Sequence, residues 1–235
     1  MFEGFERDQF TSGDITINFV KGGSGPPLLL LHGYPQSHIM WHKVAPRLAE
    51  HFTVVVSDLR GYGDSSKPPT TDNHSPYSKR ETAKDQVRLM AHLGFDDFYL
   101  AGHDRGGRVG HRLTLDHPDK VRKLAVLDIA PTYAMYSSTD FSFATAYYHW
   151  FFLIQDHPLP ETLIGAAPEF YLRKKFGQWG RDESAFPEEA INEYLRCFTP
   201  ETIHSSCEDY RASATIDLRA AGWTLVASTT VSLRF

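Results

Sequence analysis

An aspartate occupies a position where hydrolytic chemistry more often uses serine. Residues 100–107 read Leu-Ala-Gly-His-Asp-Arg-Gly-Gly, so Asp104 is the centre of a Gly-x-Asp-x-Gly stretch, the spacing of a nucleophile elbow. Such an elbow holds its central residue in a strained conformation between a strand and a helix, and its neighbours must be nearly free of side chain. Gly102 and Gly106 meet that need. Backbone N–H groups at the helix start can stabilise a developing anion there. The nucleophile then selects the reaction. Serine attacking a saturated carbon would give an ether with no easy exit, whereas a carboxylate gives an ester that water can cleave. Asp104 therefore predicts displacement at sp³ carbon, of a halide or at an epoxide. Cleaving the ester needs an oxyanion hole on Asp104's own carboxyl group. The candidate donors are the backbone N–H groups of Tyr34, in His32-Gly33-Tyr34-Pro35, and of Arg105. A solvated aspartate capping an ordinary helix is the simpler alternative.

Arg105 and Arg108 lie three residues apart and so share a helix face beside Asp104. Two guanidinium groups there could clamp a small carboxylate through charge-assisted hydrogen bonds. Cations near a helix N-terminus oppose its dipole, which makes a purely stabilising role less natural. Two surface arginines remain the alternative.

The elements that position these groups follow from the pattern. Residues 5–10 and 15–20 read as strands, the second alternating Ile15, Ile17 and Phe19 with Thr16 and Asn18. Residues 27–31 form a wholly apolar strand suited to the middle of a parallel sheet. A helix is expected over 40–50, a strand over 53–57, a helix over 79–93, the elbow strand over 98–101, its helix over 105–116, and a strand over 123–129. This alternation predicts an α/β fold with a mostly parallel sheet and helices on both faces. From residue 131 the texture changes: Tyr147-Tyr148-His149-Trp150-Phe151-Phe152 crowds aromatics, and Pro158, Pro160, Pro168 and Pro187 break helical stretches. The expected organisation is a core over 1–129, a helical cap over 130–215, and an atypical tail over 216–235 that holds one strand at most.

Composition bounds the rest. The 235 residues, 41% of them apolar, suffice for one sizeable core. A net charge of −5 without a basic stripe argues against nucleic acid. No apolar run reaches membrane-spanning length, and the acidic N-terminus does not read as a signal peptide. Two cysteines suggest reduced thiols and a cytoplasmic setting. The twelve histidines are scattered, without a His-Glu-x-x-His, so no metal site is expected.

The order His-Gly-Tyr-Pro, Asp58-Leu59-Arg60-Gly61-Tyr62-Gly63-Asp64-Ser65, Gly-His-Asp-Arg-Gly-Gly and then a helical cap resembles the α/β-hydrolase fold. Within it, His149-Trp150 and the arginine pair resemble the haloacetate (fluoroacetate) dehalogenases, over residues 1 to about 217. The resemblance implies a fold with a helical cap, no metal or organic cofactor, a small haloacid as substrate, and compatibility with a homodimer. It places Arg105 and Arg108 on the substrate carboxylate, His149, Trp150 and Tyr210 in a halide pocket, Trp179 beside the substrate channel, and Asp128 as the acid that orients a histidine base. The departure is that base. Chain order in this fold is nucleophile, acid, histidine, yet the last histidine is His204, inside the expected cap. The tail reads as though the C-terminal strands and helices were replaced, which predicts an enzyme that displaces halide and then stalls at the ester. An epoxide hydrolase and a non-catalytic remnant stay open as alternatives.

Overall fold

The computed structural model describes residues 1–180 and 185–220, and for residues 178 and 179 the backbone only. Among the described residues six strands make one mixed sheet: β1 (Glu6–Ser12), β2 (Ile15–Gly22), β3 (Pro27–Leu31), β4 (Thr53–Ser57), β5 (Phe98–His103) and β6 (Val121–Leu127), in the order β1-β2-β4-β3-β5-β6. β1 and β2 pair antiparallel, as do β2 and β4, while β3 pairs parallel with both β4 and β5, and β5 with β6. The all-apolar β3 is buried along its whole length, as a strand with neighbours on both edges should be.

Register decides where the chemistry lies. Leu31 stands opposite Gly102, and His103 opposite Leu127. The residues that follow each strand, His32 to Tyr34, Asp104 and Asp128, therefore leave the sheet side by side. This is the carboxyl edge of the parallel strands, where open α/β sheets place their ligands.

The helices that carry these loops are α1 (Ala45–Leu48), α2 (Lys79–His92) and α3 (Arg105–Asp116). α3 has the bounds that the apolar spacing predicts. α2 opens on Ser78, whose hydroxyl accepts from the Glu81 N–H at 3.3 Å, one of the otherwise unpaired first-turn donors. The helix expected over 40–50 is instead a 3₁₀ turn at His38–Trp41 followed by the four-residue α1. Pro46 has no N–H to give a continuing helix, so a new helix starts at Ala45 with Pro46 in its first turn. β6 runs over Val121–Leu127, two residues earlier than the expected 123–129. Asp128 has φ +52, which no strand accommodates, and it ends β6 there.

Beyond β6 come α4 (Thr132–Ser137), α5 (Phe141–Ala146), α6 (His149–Phe152), α7 (Leu159–Gly165), α8 (Pro168–Trp179), α9 (Glu188–Cys197) and α10 (Pro200–Ala212), which a π-helical turn at Ser213–Asp217 extends. Among the described residues no strand interrupts this run, as the change of texture at residue 131 predicts. α10 packs on α7 and on the Ser75–Tyr77 turn, and α9 on the His38–Trp41 turn. The tail strand expected within 216–235 falls largely on residues outside those described.

Candidate active site

Asp104 has φ +48 and ψ −114, a conformation that costs a non-glycine residue about 1–3 kcal/mol and that surrounding structure must enforce. The enforcement is close packing. A Cβ on Gly106 would sit 2.5 Å from the carbonyl oxygens of both Leu31 and His32. A Cβ on Gly102 would strike the Gly106 carbonyl. The strand therefore turns into α3 with Asp104 standing out of the junction.

Tyr34 N–H donates to Asp104 Oδ1 at 2.9 Å, one of the two contacts expected of an oxyanion hole. The Arg105 N–H makes no such bond among the described residues. Gly33 lets the two loops approach, since a Cβ there would lie 2.5 Å from Asp104 Cβ and 2.6 Å from Oδ1. Replacing Gly33 by Ala is therefore expected to push Tyr34 N–H off the carboxyl group and to slow cleavage of an ester formed on Asp104 at least about 100-fold, the scale of a lost oxyanion donor. The decay of the adduct mass after removal of substrate checks this.

The loop that carries Tyr34 is braced from beneath. His32 Nδ1 lies 3.0 Å from the Gly33 carbonyl, and Nε2 accepts from the Leu59 N–H at 3.0 Å. These partners assign the neutral Nδ1–H tautomer. Burial agrees, pushing the His32 pKa down. Asp58 accepts from Asn18 Nδ2, the His38 N–H and the Asp64 N–H at 2.7–3.0 Å. Burial by itself would raise its pKa, but His38, through its ring and its N–H, outweighs that and holds the carboxyl far below the usual range.

Both arginines are buried, and they are held differently. Arg105 gives Nε and Nη2 to the Asp209 carboxylate at 2.7 and 2.9 Å, and its guanidinium lies 4.1 Å from the centre of the Tyr210 ring. Asp209 also receives Lys79 Nζ and, at 2.8 Å, the Tyr62 hydroxyl. Arg108 lies 4.2 Å from the centre of a Trp150 ring and donates Nη1 to Thr132 Oγ1 at 2.8 Å. Among the described residues no ion pair reaches it. Arg108 Nε and Nη2, Arg105 Nη1, and the hydroxyls of Tyr136 and Tyr210 are buried without an acceptor among the described residues. Burial and then the neighbouring Arg105 charge lower the Arg108 pKa to about 10, so the group stays cationic at neutral pH.

A cavity of about 540 Å³ opens in front of Asp104 and reaches Tyr34, Asp128, His149, Trp150 and Tyr210. The fold thus unites residues that lie up to 176 positions apart, from Tyr34 to Tyr210. His149 stacks on Tyr34, and its pKa is pushed to about 3 by burial, with the Lys175 ammonium adding to the effect. The imidazole is therefore neutral, a dipolar donor and not a cation. Asp128 reaches the cavity, but no histidine among the described residues hydrogen-bonds to it. The side chain of Trp179, expected beside the channel, lies outside the described residues. Three contributors escaped the sequence reading: Asp209, Thr132 and Tyr136. Asp209 carried one signal, because Glu208-Asp209-Tyr210-Arg211 places three charges next to the apolar Cys207 and Ala212 in a helix that is buried throughout that stretch.

Known proteins resemble this chain in sequence and in fold. The family model for the alpha/beta hydrolase fold matches residues 26–214. A fluoroacetate dehalogenase from Burkholderia sp is 56% identical over 219 residues, 92% of this chain and 72% of that protein. A soluble epoxide hydrolase from Corynebacterium sp. (strain C12) is 38% identical over 83% of this chain and 68% of its own length. A solved structure from Nostoc sp PCC 7120, described as of an alpha/beta hydrolase type, superposes with a TM-score of 0.95 at 61% identity, covering 96% of this chain and 78% of that one. With an elbow aspartate, a backbone donor on it and paired buried arginines, the chain belongs to the α/β hydrolases and, within them, to the haloacetate dehalogenase family.

Proposed function

We propose that Asp104 displaces halide from a short haloacid whose carboxylate is held by Arg108 and Arg105. The observation that carries this is Arg108, a guanidinium only 3% exposed that forms no ion pair and has two donors without an acceptor among the described residues. A buried charge without a counter-ion costs several kcal/mol. A substrate carboxylate offsets that cost, and a neutral substrate does not. In the first step one Asp104 oxygen attacks the carbon that bears halogen. The C–halogen bond breaks, and halide leaves with the electron pair toward the donors of His149, Trp150 and Tyr210. In the second step water attacks the Asp104 carboxyl carbon, negative charge gathers on Oδ1 against Tyr34 N–H, and glycolate departs. That water needs a base, which Asp128 would orient. Among the described residues no histidine is placed to serve, so this 235-residue stretch by itself is expected to accumulate the ester.

The test is the intact mass of this polypeptide after exposure to fluoroacetate and, separately, to styrene oxide. A persistent carboxymethyl increment with fluoroacetate alone is the expected result. Labelling by styrene oxide alone would support the second reading, an epoxide hydrolase. That reading draws on the Tyr34 and Tyr171 hydroxyls, 3.0 Å apart, as donors to an epoxide oxygen. Free glycolate without an adduct would overturn the stalled ester. The two buried, unpaired thiols of Cys197 and Cys207 suit a reducing, cytoplasmic setting. No described helix is long and apolar enough to cross a membrane. The exposed Phe141, Leu163 and Phe170 give the cap helices apolar surface that suits a homodimer.

A further inference from the structure

We propose that His157, Glu161 and His204 form a binding site for a divalent transition-metal ion of the zinc class, which clasps α7 to α10. The three ligand atoms lie within 4.8 Å of one another. His204 Nδ1 is 3.1 Å and His157 Nδ1 3.4 Å from the same oxygen, Glu161 Oε1. Tetrahedral ligands at zinc-like bond lengths stand roughly 3.3–3.5 Å apart, so the set is close to a coordinating arrangement before any ion arrives. His157 is the most exposed of the three, with 62% of its side chain accessible, and its ring can turn to complete the geometry. Two imidazoles and one carboxylate match a borderline cation better than calcium or magnesium. They leave a fourth position open to water.

The surroundings favour a cation. The site borders a second cleft, of about 810 Å³, where Asp72, Asp156 and Glu208 outnumber the single arginine, Arg211. Arg211 Nη1 donates to Glu161 Oε1 at 2.7 Å. Arg211 loses little if Oε1 turns to a metal. It keeps Glu161 Oε2 at 3.2 Å, Glu208 Oε1 at 2.8 Å and the Gln155 carbonyl, and its hold on Oε2 would orient the ligand as carboxylate partners of metal sites commonly do. The other cluster of potential ligands, Asp64, Glu193 and Cys197, lacks this opening. Arg196 already occupies both carboxylates, and burial pushes the Cys197 thiol up to about 12. The ion would act as a brace, since His204 sits on the helix that presents Asp209 and Tyr210 to the active site.

Equilibrium dialysis of the untagged chain against Zn²⁺, together with Co²⁺ absorption spectra and melting curves, tests the proposal. One Zn²⁺ per chain, tetrahedral Co²⁺ bands and a Zn²⁺-dependent rise in Tm are expected. His157→Ala and His204→Ala should each weaken binding at least about 10-fold, while His51→Ala, at an exposed position away from the cluster, leaves it unchanged. Circular dichroism establishes that each variant is folded, and the exposed His157 decides if His204→Ala unfolds. Absence of stoichiometric Zn²⁺ binding, or binding unchanged in His157→Ala, would overturn the site.

Discussion

Asp104→Asn is expected to abolish labelling by fluoroacetate, with a loss of roughly 10⁴-fold or more in the rate of ester formation, the scale on which single nucleophiles fail when removed. The reason lies in the electron count and the local geometry. Oδ1 is already engaged by Tyr34 N–H, which leaves Oδ2 as the oxygen free to attack. An amide has no comparable lone pair at that position and no charge to drive displacement. The substitution is nearly isosteric, so the strained elbow, the Gly33 contact and the arginine pair should persist. A folded, unlabelled variant that still binds a non-reactive carboxylate would assign Asp104 to chemistry and not to binding. Undiminished labelling in Asp104→Asn would place the nucleophile elsewhere.

Asp209→Asn is expected to destabilise the protein by about 3–5 kcal/mol, the usual cost of leaving buried charges unpaired. Asp209 is 6% exposed and holds Arg105, Lys79 and Tyr62 at once. Burial by itself would raise its pKa, but Arg105 and Lys79 outweigh burial and keep the carboxyl far below the ordinary range. A depressed carboxylate pKa stabilises the fold at every pH above the unfolded value, about 4, and that contribution is lost as pH falls through the folded one. The wild-type chain should therefore lose stability below about pH 4, and Asp209→Asn should start lower and lose less over the same range. Urea denaturation across pH checks both arms. Asp209 is a positioning residue, because it aims Arg105 without reaching the substrate. A folded variant should accordingly need more haloacid for half-maximal labelling while the saturated labelling rate changes less. Equal stability at neutral pH would show that the network does not depend on this charge.

The sequence itself carried the reaction type and the backbone that performs it. Gly102, Asp104 and Gly106 sit within five residues, and His32 to Pro35 within four, so their meaning is local: a strand end, a tight turn and a helix start. The apolar run of β3 and the alternation in β2 were equally legible, since a strand buried on both faces and one buried on a single face have distinct periods. The break at Pro46 was legible in principle, because a missing N–H acts at its own position. Asp128 is different. Its type was visible, but its positive φ, which shortens β6, depends on the loops it meets.

Tertiary structure decided the electrostatics. Arg105 and Asp209 are 104 residues apart, and no periodicity links them; only the docking of α10 over the carboxyl edge of the sheet makes one the counter-ion of the other, while Arg108 forms no ion pair among the described residues. The same packing brings His204 against His157 and Glu161, turning histidines that look scattered along the chain into a cluster. Local pattern reports which face an element buries. Which charges are paired depends on what is packed against that face, and that is fixed only when the elements assemble.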